Sequence, residues 1–299
     1  MKAHSVLGSP PFIMLGVTIS RLLPKVVVHG IVRVISRWMA WRRTELFTNC
    51  RNNQRRLVPG ASKAELDRLA QQAIYHAGVV YRDMFRLSQS DYQHDRVPIS
   101  MDQDAWRRVL EAVRDDRGTV LVGPHTSNYD LAAYWIASHG VDMQALSLPD
   151  PNQGTRVVNA LRRRRGVDMT PLEVGSLRQA LQRLRKGGVV LTGVDRPVSS
   201  ADPLIPFFGE PARIPSGPAR LALQSNSRVV VACCHMEPDG GYRMDLDLLE
   251  MESTGNRKAD VMHNTKRIMV VIEDMIRQIP EQWLMFVPVW ESLPSEPES

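Results

Sequence analysis

The segment of the chain best suited to chemistry is a histidine followed five residues later by an aspartate. An apolar stretch over residues 120–122 ends in a Gly-Pro turn that leads to His125, and Asp130 falls where the first turn of a helix is expected. Ser127 or Asn128 is the expected N-cap of that helix. A neutral imidazole can take a proton from an attacking hydroxyl when a carboxylate holds its other nitrogen. The pair predicts a general base, although a capping-loop histidine bonded only to the backbone fits the same spacing.

A second carboxylate follows another predicted strand. Residues 189–194 are mostly apolar and lead directly to Asp195 and Arg196. The carboxyl ends of parallel strands meet at one edge of an α/β sheet, so Asp195 is a second candidate for the carboxylate that orients His125. A structural anchor, in which Asp195 and Arg196 only fix the loop, fits the pattern equally well. Glu210 is a third carboxylate, less well placed by this argument.

These residues need elements that bring them together, and the apolar periodicity predicts such elements. Gly, Pro and polar capping residues divide the chain into helices and strands. The predicted helices cover residues 61–87, 104–113, 129–138, 154–165, 176–186, 216–223 and 258–279, and the predicted strands cover residues 119–122, 189–194 and 228–234. Strands separated by helices favour an α/β fold with a mixed, partly parallel central sheet flanked by helices.

Positive charge is concentrated at the start of the chain. Residues 1–56 contain ten basic residues and one acidic residue, whereas the whole chain has a net charge of +6. Beside a basic stripe that includes Arg33 and Arg37, apolar residues recur at helical spacing: Val27, Ile31, Val34, Ile35 and Trp38. This combination predicts an interfacial helix lying on an anionic membrane surface. The alternative is an amphipathic helix docked on the protein core.

Several classes of protein are excluded by what the sequence lacks. It contains no Gly-x-Ser-x-Gly elbow of an esterase, no Walker loop, no dinucleotide-binding fingerprint and no HExxH metal helix. No nucleic-acid-binding module accompanies the basic segment, so no nucleic-acid partner is predicted. The three cysteines, Cys50, Cys233 and Cys234, lack the spacing of a zinc site or of a secreted disulfide framework, which favours a reducing, cytoplasmic setting.

Four blocks, in order, resemble those of one enzyme family. The box HTSNYD covers residues 125–130, the strand end VDRP covers 194–197, the block PFFGEPARIPSGPARLA covers 206–222, and PEQW covers 280–283. Together they resemble the late acyltransferases of bacterial lipid A biosynthesis and their relatives, which include the phosphatidylinositol mannoside acyltransferases. Many relatives have Gly-Asn-Trp-Glu where this chain has Ser-Asn-Tyr-Asp. The shorter carboxylate leaves the partner of the base open.

The resemblance implies a membrane-associated O-acyltransferase on a glycerolipid acyltransferase-like fold. The expected reaction moves a fatty acyl chain from acyl-CoA or acyl-carrier protein to a hydroxyl of a glycolipid or lysophospholipid, which requires a base and stabilisation of the oxyanion. His125 is the expected base, with Asp130 and Asp195 as its candidate partners. The thioester is a co-substrate, and neither a cofactor nor a metal is expected. The alternative is a non-catalytic lipid-binding or membrane-scaffold protein on the same fold.

Six residues are candidates for substrate binding: Asn159, Arg162, Arg165, Arg196, Ser216 and Gly217. Four consecutive arginines close one predicted helix and cannot all point one way, so a solvated face is one interpretation. The other follows from the family's N…R…G block, in which Asn159 and Arg162 or Arg165 meet phosphates or the developing oxyanion. Ser216 and Gly217 begin a helix whose free amides suit an anion, although a simple cap is the preferred interpretation.

A domain order follows from these assignments. Residues 1–56 are predicted to form a basic amphipathic segment for membrane association, residues 57–290 the acyltransferase domain, and residues 291–299 a disordered tail. The resemblance places the protein peripherally on the cytoplasmic face of the cell membrane, against anionic lipids. The Asp-Arg and FFGE blocks favour the branch that acylates mannosylated phosphoinositides. Trp283, in the last block, is expected to pack in the core.

Overall fold

The computed structural model describes residues 16–20, 22–87, 99–149 and 153–290, so the predicted tail, residues 291–299, lies outside it. The main helices are α1 Lys25–Trp41, α2 Glu45–Leu57, α3 Lys63–Leu87, α4 Gln103–Arg114, α5 Tyr129–Ser138, α6 Gln153–Arg163, α7 Val174–Arg185, α8 Gly217–Ser225 and α9 Arg257–Gln278. The strands are β1 Ile99–Ser100, β2 Thr119–Gly123, β3 Met143–Ser147, β4 Val167–Pro171, β5 Val189–Gly193, β6 Leu204–Phe207, β7 Glu210–Arg213, β8 Arg228–Met236 and β9 Tyr242–Leu249. A 3₁₀ turn, Pro280–Gln282, follows α9.

A seven-stranded sheet lies at the centre of the described part, in the order β1-β9-β8-β2-β5-β3-β4. The strands β8, β2, β5, β3 and β4 run parallel, whereas β9 is antiparallel to β8 and pairs in parallel with β1. The strands β6 and β7 form a separate antiparallel hairpin. The sheet is therefore mixed and mainly parallel, which confirms the predicted α/β fold class.

Both faces of the central strands are covered, which explains their continuous apolar sequence. Val120 and Val122 of β2 are fully buried in one apolar cluster, which also contains Trp283. Leu121, between them, points to the other face and packs in a second cluster with Leu131 of α5. Side chains alternate across a strand, so a strand buried on both faces has no polar positions in its sequence.

The predicted bounds of the helices and of β2, β5 and β8 agree with the structure to within two residues at each end. The elements α2, β1, β3, β4, β6, β7 and β9 were not predicted. Gln144 shows one reason, because it is the second residue of β3 and is fully buried. Its Nε2 donates to Oγ1 of Thr170 in β4 at 3.0 Å. A buried polar residue whose partner lies in another strand makes a short strand look like a loop.

The helix α1 lies across α3 and leaves much of its apolar surface exposed. The crossing is close, since a Cβ placed on Gly78 of α3 would lie 2.5 Å from Cγ1 of Val32. On the outer side, Val34 is 66% exposed, Trp38 54% and Trp41 75%. Among the described residues, no helix has both the length and the apolar content needed to cross a bilayer. The predicted amphipathic helix therefore exists, and its apolar stripe faces outward.

The helix α2 packs against the C-terminal part of the chain, although it belongs to the segment predicted for membrane association. Asn53 donates to the carbonyl oxygens of Met285 and Val287 at 3.0 and 2.8 Å. Gln54 donates to the carbonyl oxygen of Pro280 at 2.6 Å. These contacts tie α2 to the segment that follows α9. The division of the chain at residue 56 stays a prediction.

Candidate active site

The carboxyl ends of β2 and β5 bring a histidine and an aspartate together. The two strands pair in parallel with Gly123 opposite Gly193, so the loops after them leave the sheet side by side. Nδ1 of His125 lies 2.6 Å from Oδ1 of Asp195, and the His125 amide donates to Oδ2 at 2.8 Å. Asp195 is fully buried, whereas 29% of the His125 side chain is exposed. This arrangement leaves Nε2 of His125 as the nitrogen that Asp195 does not contact.

The surroundings of Asp195 keep its carboxylate ionised. Burial alone would raise the pKa of this carboxyl, but the charge of His125 and hydrogen bonds from the His125 ring, the Trp283 indole and the His125 amide outweigh it. The net result is a pKa below the usual range. An ionised carboxylate favours the tautomer with a proton on Nδ1, in which Nε2 has a free lone pair. A general base requires this tautomer.

The loop after His125 is fixed to the last block of the chain. The amide of Leu284 donates to the carbonyl oxygen of His125 at 2.8 Å, and the amide of Ser127 donates to that of Gln282 at 2.9 Å. Ser127 adopts a φ of 37°, in the left-handed region that residues other than glycine rarely occupy. The backbone thus makes a sharp bend directly after the histidine, and two hydrogen bonds hold it.

Asn128 is the N-cap of α5. Its Oδ1 accepts a hydrogen bond from the amide of Leu131 at 3.1 Å, and its side chain is fully buried. Of the two caps that the sequence left open, the structure selects this one, because Ser127 is used for the bend. The cap places the next two residues, Tyr129 and Asp130, in the first turn of the helix.

Asp130 binds an arginine, and the structure shows no hydrogen bond from it to His125. Nε and Nη2 of Arg162 donate to the two carboxylate oxygens of Asp130 at 2.6 and 2.9 Å. The carboxylate that reaches His125 is Asp195, the second of the two candidates. Glu210, the third carboxylate, pairs elsewhere with an arginine of α2 at 2.7 Å. The aspartate of the HTSNYD box therefore positions a guanidinium.

Tyr129 connects His125 with Arg162. Its ring lies 5.4 Å from the imidazole of His125 between centroids, at an interplanar angle of 76°. Its hydroxyl accepts from Nη2 of Arg162 at 3.3 Å, and Asn159 accepts from Nη1 of the same arginine at 3.1 Å. Arg162 and its partners thus steady a ring that packs edge-on against the histidine. Tyr129 was not predicted, although its place between the histidine and aspartate of the box could have indicated it.

The other residues predicted to bind substrate differ in where they lie relative to the His125–Asp195 pair. Arg165 is half-buried just beyond the end of α6. Arg196 directly follows Asp195, is half-buried, and forms no hydrogen bond or ion pair within the described ranges. Ser216 takes the N-cap position of α8 without a side-chain hydrogen bond to the helix, and Gly217 is the first helical residue. Arg196 therefore lies next to the His125–Asp195 pair, whereas the contacts of Ser216 and Gly217 give them no link to it.

Trp283 is fully buried, as expected, and it also makes a polar contact. Its indole Nε1 donates to Oδ2 of Asp195 at 2.7 Å. The sequence suggested only packing in the core. A buried indole N–H almost always finds an acceptor, which is the signal that could have directed attention to this residue.

Gly193, the last residue of β5, leaves room for the imidazole. A Cβ at this position would lie 2.9 Å from Cε1 and 3.5 Å from Nε2 of His125. We expect Gly193→Ala to displace the ring from Asp195 and to lower kcat by about tenfold or more, since a 1 Å misplacement can cost on the order of 100-fold. Gly175→Ala, where a Cβ meets nothing within 4 Å, is the matched control. A folded Gly193→Ala variant with wild-type kcat would contradict this use of the glycine.

Comparisons with known proteins give one matching family profile and several named relatives. The profile of the bacterial lipid A biosynthesis acyltransferase family matches residues 11–292. The phosphatidylinositol mannoside acyltransferase of Mycolicibacterium smegmatis is 26% identical over 276 residues, which cover 90% of this chain and 87% of that protein. The protein of the same name from Mycobacterium tuberculosis is 27% identical over 250 residues, with coverage of 80% and 76%.

One solved structure, the 1-acyl-sn-glycerophosphate acyltransferase of Thermotoga maritima, aligns with a TM-score of 0.35 and 16% identity, over 67% of this chain and 81% of that chain. The family assignment rests on the sequence, because the profile match covers almost the whole chain. The protein belongs to the bacterial lipid A biosynthesis acyltransferase family and is an acyltransferase.

Proposed function

We propose that the protein is a membrane-associated O-acyltransferase that moves a fatty acyl chain from a thioester to a hydroxyl of a glycolipid of the phosphatidylinositol mannoside type. The observation that carries this proposal is the buried Asp195 at 2.6 Å from Nδ1 of His125, with Nε2 left free. A protein that only binds lipid has no use for a base oriented in this way. The names of the two mycobacterial relatives support this class of acceptor.

The His125–Asp195 pair suits direct transfer without a covalent enzyme intermediate. In the proposed reaction, Nε2 of His125 takes the proton of the acceptor hydroxyl while its oxygen attacks the carbonyl carbon of the thioester. The attack forms a tetrahedral oxyanion, which collapses and expels the thiolate. The thiolate then takes the proton from Nε2. Asp195 stabilises the imidazolium between the two steps, because its carboxylate stays ionised.

The two arginines near the pair have different proposed roles. Arg162 is neutralised by Asp130, and its side chain is only 15% exposed. We assign it to holding Tyr129 against the base. Arg196 has no charged partner within the described ranges, so it is the guanidinium left to meet a phosphate of the donor or acceptor.

The proposed acyl donor is acyl-CoA or an acyl-carrier protein. Both present the same thioester carbonyl, so the His125–Asp195 pair alone does not choose between them. Both are cytoplasmic molecules, which supports a site on the cytoplasmic face of the cell membrane. The proposed attachment is peripheral.

The outer face of α1 is the proposed membrane contact. Val26 is 82% exposed and Trp41 is 75% exposed. Basic residues lie along the same helix. Contiguous exposed apolar side chains are costly in water and mark a surface that is covered in use. An anionic lipid surface accommodates both the apolar stripe and the basic residues beside it.

A charge on this face is expected to weaken membrane binding. Val34→Asp places a carboxylate in the stripe and near anionic lipid headgroups, so the partition coefficient onto phosphatidylinositol-containing vesicles should fall by about tenfold. Co-sedimentation with the vesicles measures it. Val270→Asp is the matched control, because Val270 on α9 is similarly exposed, at 58% against 66% for Val34. Equal losses in both variants, or none in either, would rule out α1 as the contact.

An acyl-transfer assay tests the whole proposal. Purified protein is incubated with vesicles of phosphatidylinositol dimannoside and either palmitoyl-CoA or palmitoyl-acyl-carrier protein, and the lipids are examined by mass spectrometry. The expected result is an acceptor that gains one palmitoyl chain while an equal amount of free thiol appears. A bacterial total-lipid extract, used in parallel, reveals a different acceptor. Vesicle binding without a new product from either donor would support the non-catalytic lipid-binding alternative instead.

A further inference from the structure

We propose that Trp283 is a positioning residue for the His125–Asp195 pair and not only a core side chain. The inference rests on the proposed role of His125 as the base. The indole Nε1 donates at 2.7 Å to Oδ2 of Asp195, the oxygen that does not face the imidazole. Both Asp195 and Trp283 are fully buried, so water does not compete for this hydrogen bond.

The hydrogen bonds fix the rotation of the carboxylate. Oδ1 faces Nδ1 of His125 at 2.6 Å, while Oδ2 accepts from the His125 amide at 2.8 Å and from the indole. Two donors from different directions on Oδ2 hold Oδ1 against the imidazole. Without the indole, the only donor left on Oδ2 within the described residues is the backbone of the histidine that Asp195 orients. The indole is therefore the donor that holds the carboxylate from outside the His125–Asp195 pair.

The backbone around Trp283 is built into the same loop as the base. Thr126 forms an antiparallel bridge with Trp283, and the amide of Leu284 donates to the carbonyl oxygen of the base at 2.8 Å. The side chain of Gln282 accepts from the amide of Met236 at 2.7 Å and donates to its carbonyl oxygen at 2.9 Å. The indole is thus held relative to both the loop after His125 and the end of β8, which is what a positioning role requires.

The aromatic cluster around Trp283 supplies a matched control. Trp290 belongs to the same cluster, with its ring centroid 6.2 Å from that of Trp283. It is also buried, at 5% exposure, and its indole donates to the carbonyl oxygen of Phe207 at 3.3 Å. Replacing either tryptophan by phenylalanine removes one indole N–H from this cluster. Only the change at Trp283 removes a donor to Asp195.

The lost hydrogen bond has a geometric signature. Without the indole, the His125 amide is the donor that remains on Oδ2 within the described residues, so the carboxylate of Asp195 is free to rotate. The hydrogen bond between Nδ1 of His125 and Oδ1 of Asp195, 2.6 Å in the intact pair, should then lengthen.

The experiment compares Trp283→Phe with Trp290→Phe. We expect Trp283→Phe to lower kcat by about tenfold, with a smaller change in KM, because a hydrogen bond to a charged group is lost. Trp290→Phe should change neither, even if both variants lose similar thermal stability. Equal kinetic effects in the two variants would overturn the proposal.

A second measurement tests the role of Trp283 even if Trp283→Phe folds poorly or the proposed reaction does not occur. Benzothienylalanine incorporated at position 283 replaces only the indole N–H by sulfur and keeps the shape of the side chain. NMR of labelled histidine then follows the Nδ1–H proton of His125 without turnover. A signal that moves upfield in the analogue reports a weaker hydrogen bond to Asp195 and supports the positioning role. This result would stand even if the wild type transferred no acyl chain, which would overturn only the proposed reaction. An unmoved signal in the analogue would overturn the role of Trp283.

Discussion

Replacing His125 by alanine is expected to lower kcat by about 100- to 10,000-fold, the range that a positioned general base contributes. The expectation follows from Nδ1 being held by the buried Asp195 while 29% of the side chain is exposed. The alanine leaves the carboxylate and its other donors in place, so the KM values for donor and acceptor should change much less than kcat. Initial rates at saturating donor and acceptor, from mass spectrometry of the lipid product, measure the effect.

A surface histidine supplies the control for this substitution. His263 on α9 is 54% exposed and pairs with Glu252 at 2.6 Å, so His263→Ala should keep the wild-type kcat. Circular dichroism and thermal unfolding establish that both variants fold. If His125→Ala were folded and as active as the wild type, the protein would remain an acyltransferase, but another group would have to act as the base.

The sequence predicts elements better than it predicts contacts, and the central strands show why. Residues 119–122 read as a strand because both faces of β2 are buried, which removes polar residues from the run. The strand β3 escaped prediction because a buried Gln144 interrupts its apolar pattern. The apolar stripe of α1 could be predicted from the spacing of its residues alone. Local sequence thus indicates how an element is buried, and it fails where a buried polar side chain donates to a distant partner.

The partner of His125 shows the limit for the site. Asp130 is five residues from His125 and Asp195 is seventy residues away, yet the distant carboxylate makes the contact. The choice depends on β5 pairing directly with β2, which neither segment specifies by itself. It also depends on the first turn of α5, which directs Asp130 to Arg162. Sequence could therefore name both carboxylates but could not assign them.

Asp195→Asn is expected to lower kcat by about 10,000-fold, as the same change does in a Ser-His-Asp triad. Oδ2 accepts from two N–H groups, of His125 and Trp283, so the oxygen of an asparagine amide must stay at that position. Its NH₂ group then faces Nδ1, which has to accept. The proton moves to Nε2, and the imidazole can no longer act as a base. Both hydrogen bonds to the amide oxygen survive, so the variant should fold.

Asp130→Asn is expected to affect stability more than kcat, the reverse of Asp195→Asn, so the two variants distinguish the roles of the two carboxylates. It leaves Arg162, only 15% exposed, without its charge partner, which should lower the free energy of unfolding by roughly 3 kcal/mol. The tautomer of His125 is untouched, so kcat should fall by only about tenfold, through looser packing of Tyr129. Urea unfolding and steady-state rates on the two variants measure both quantities. A larger kcat loss in Asp130→Asn than in Asp195→Asn would reverse the assignment and make the aspartate of the box the partner of the base.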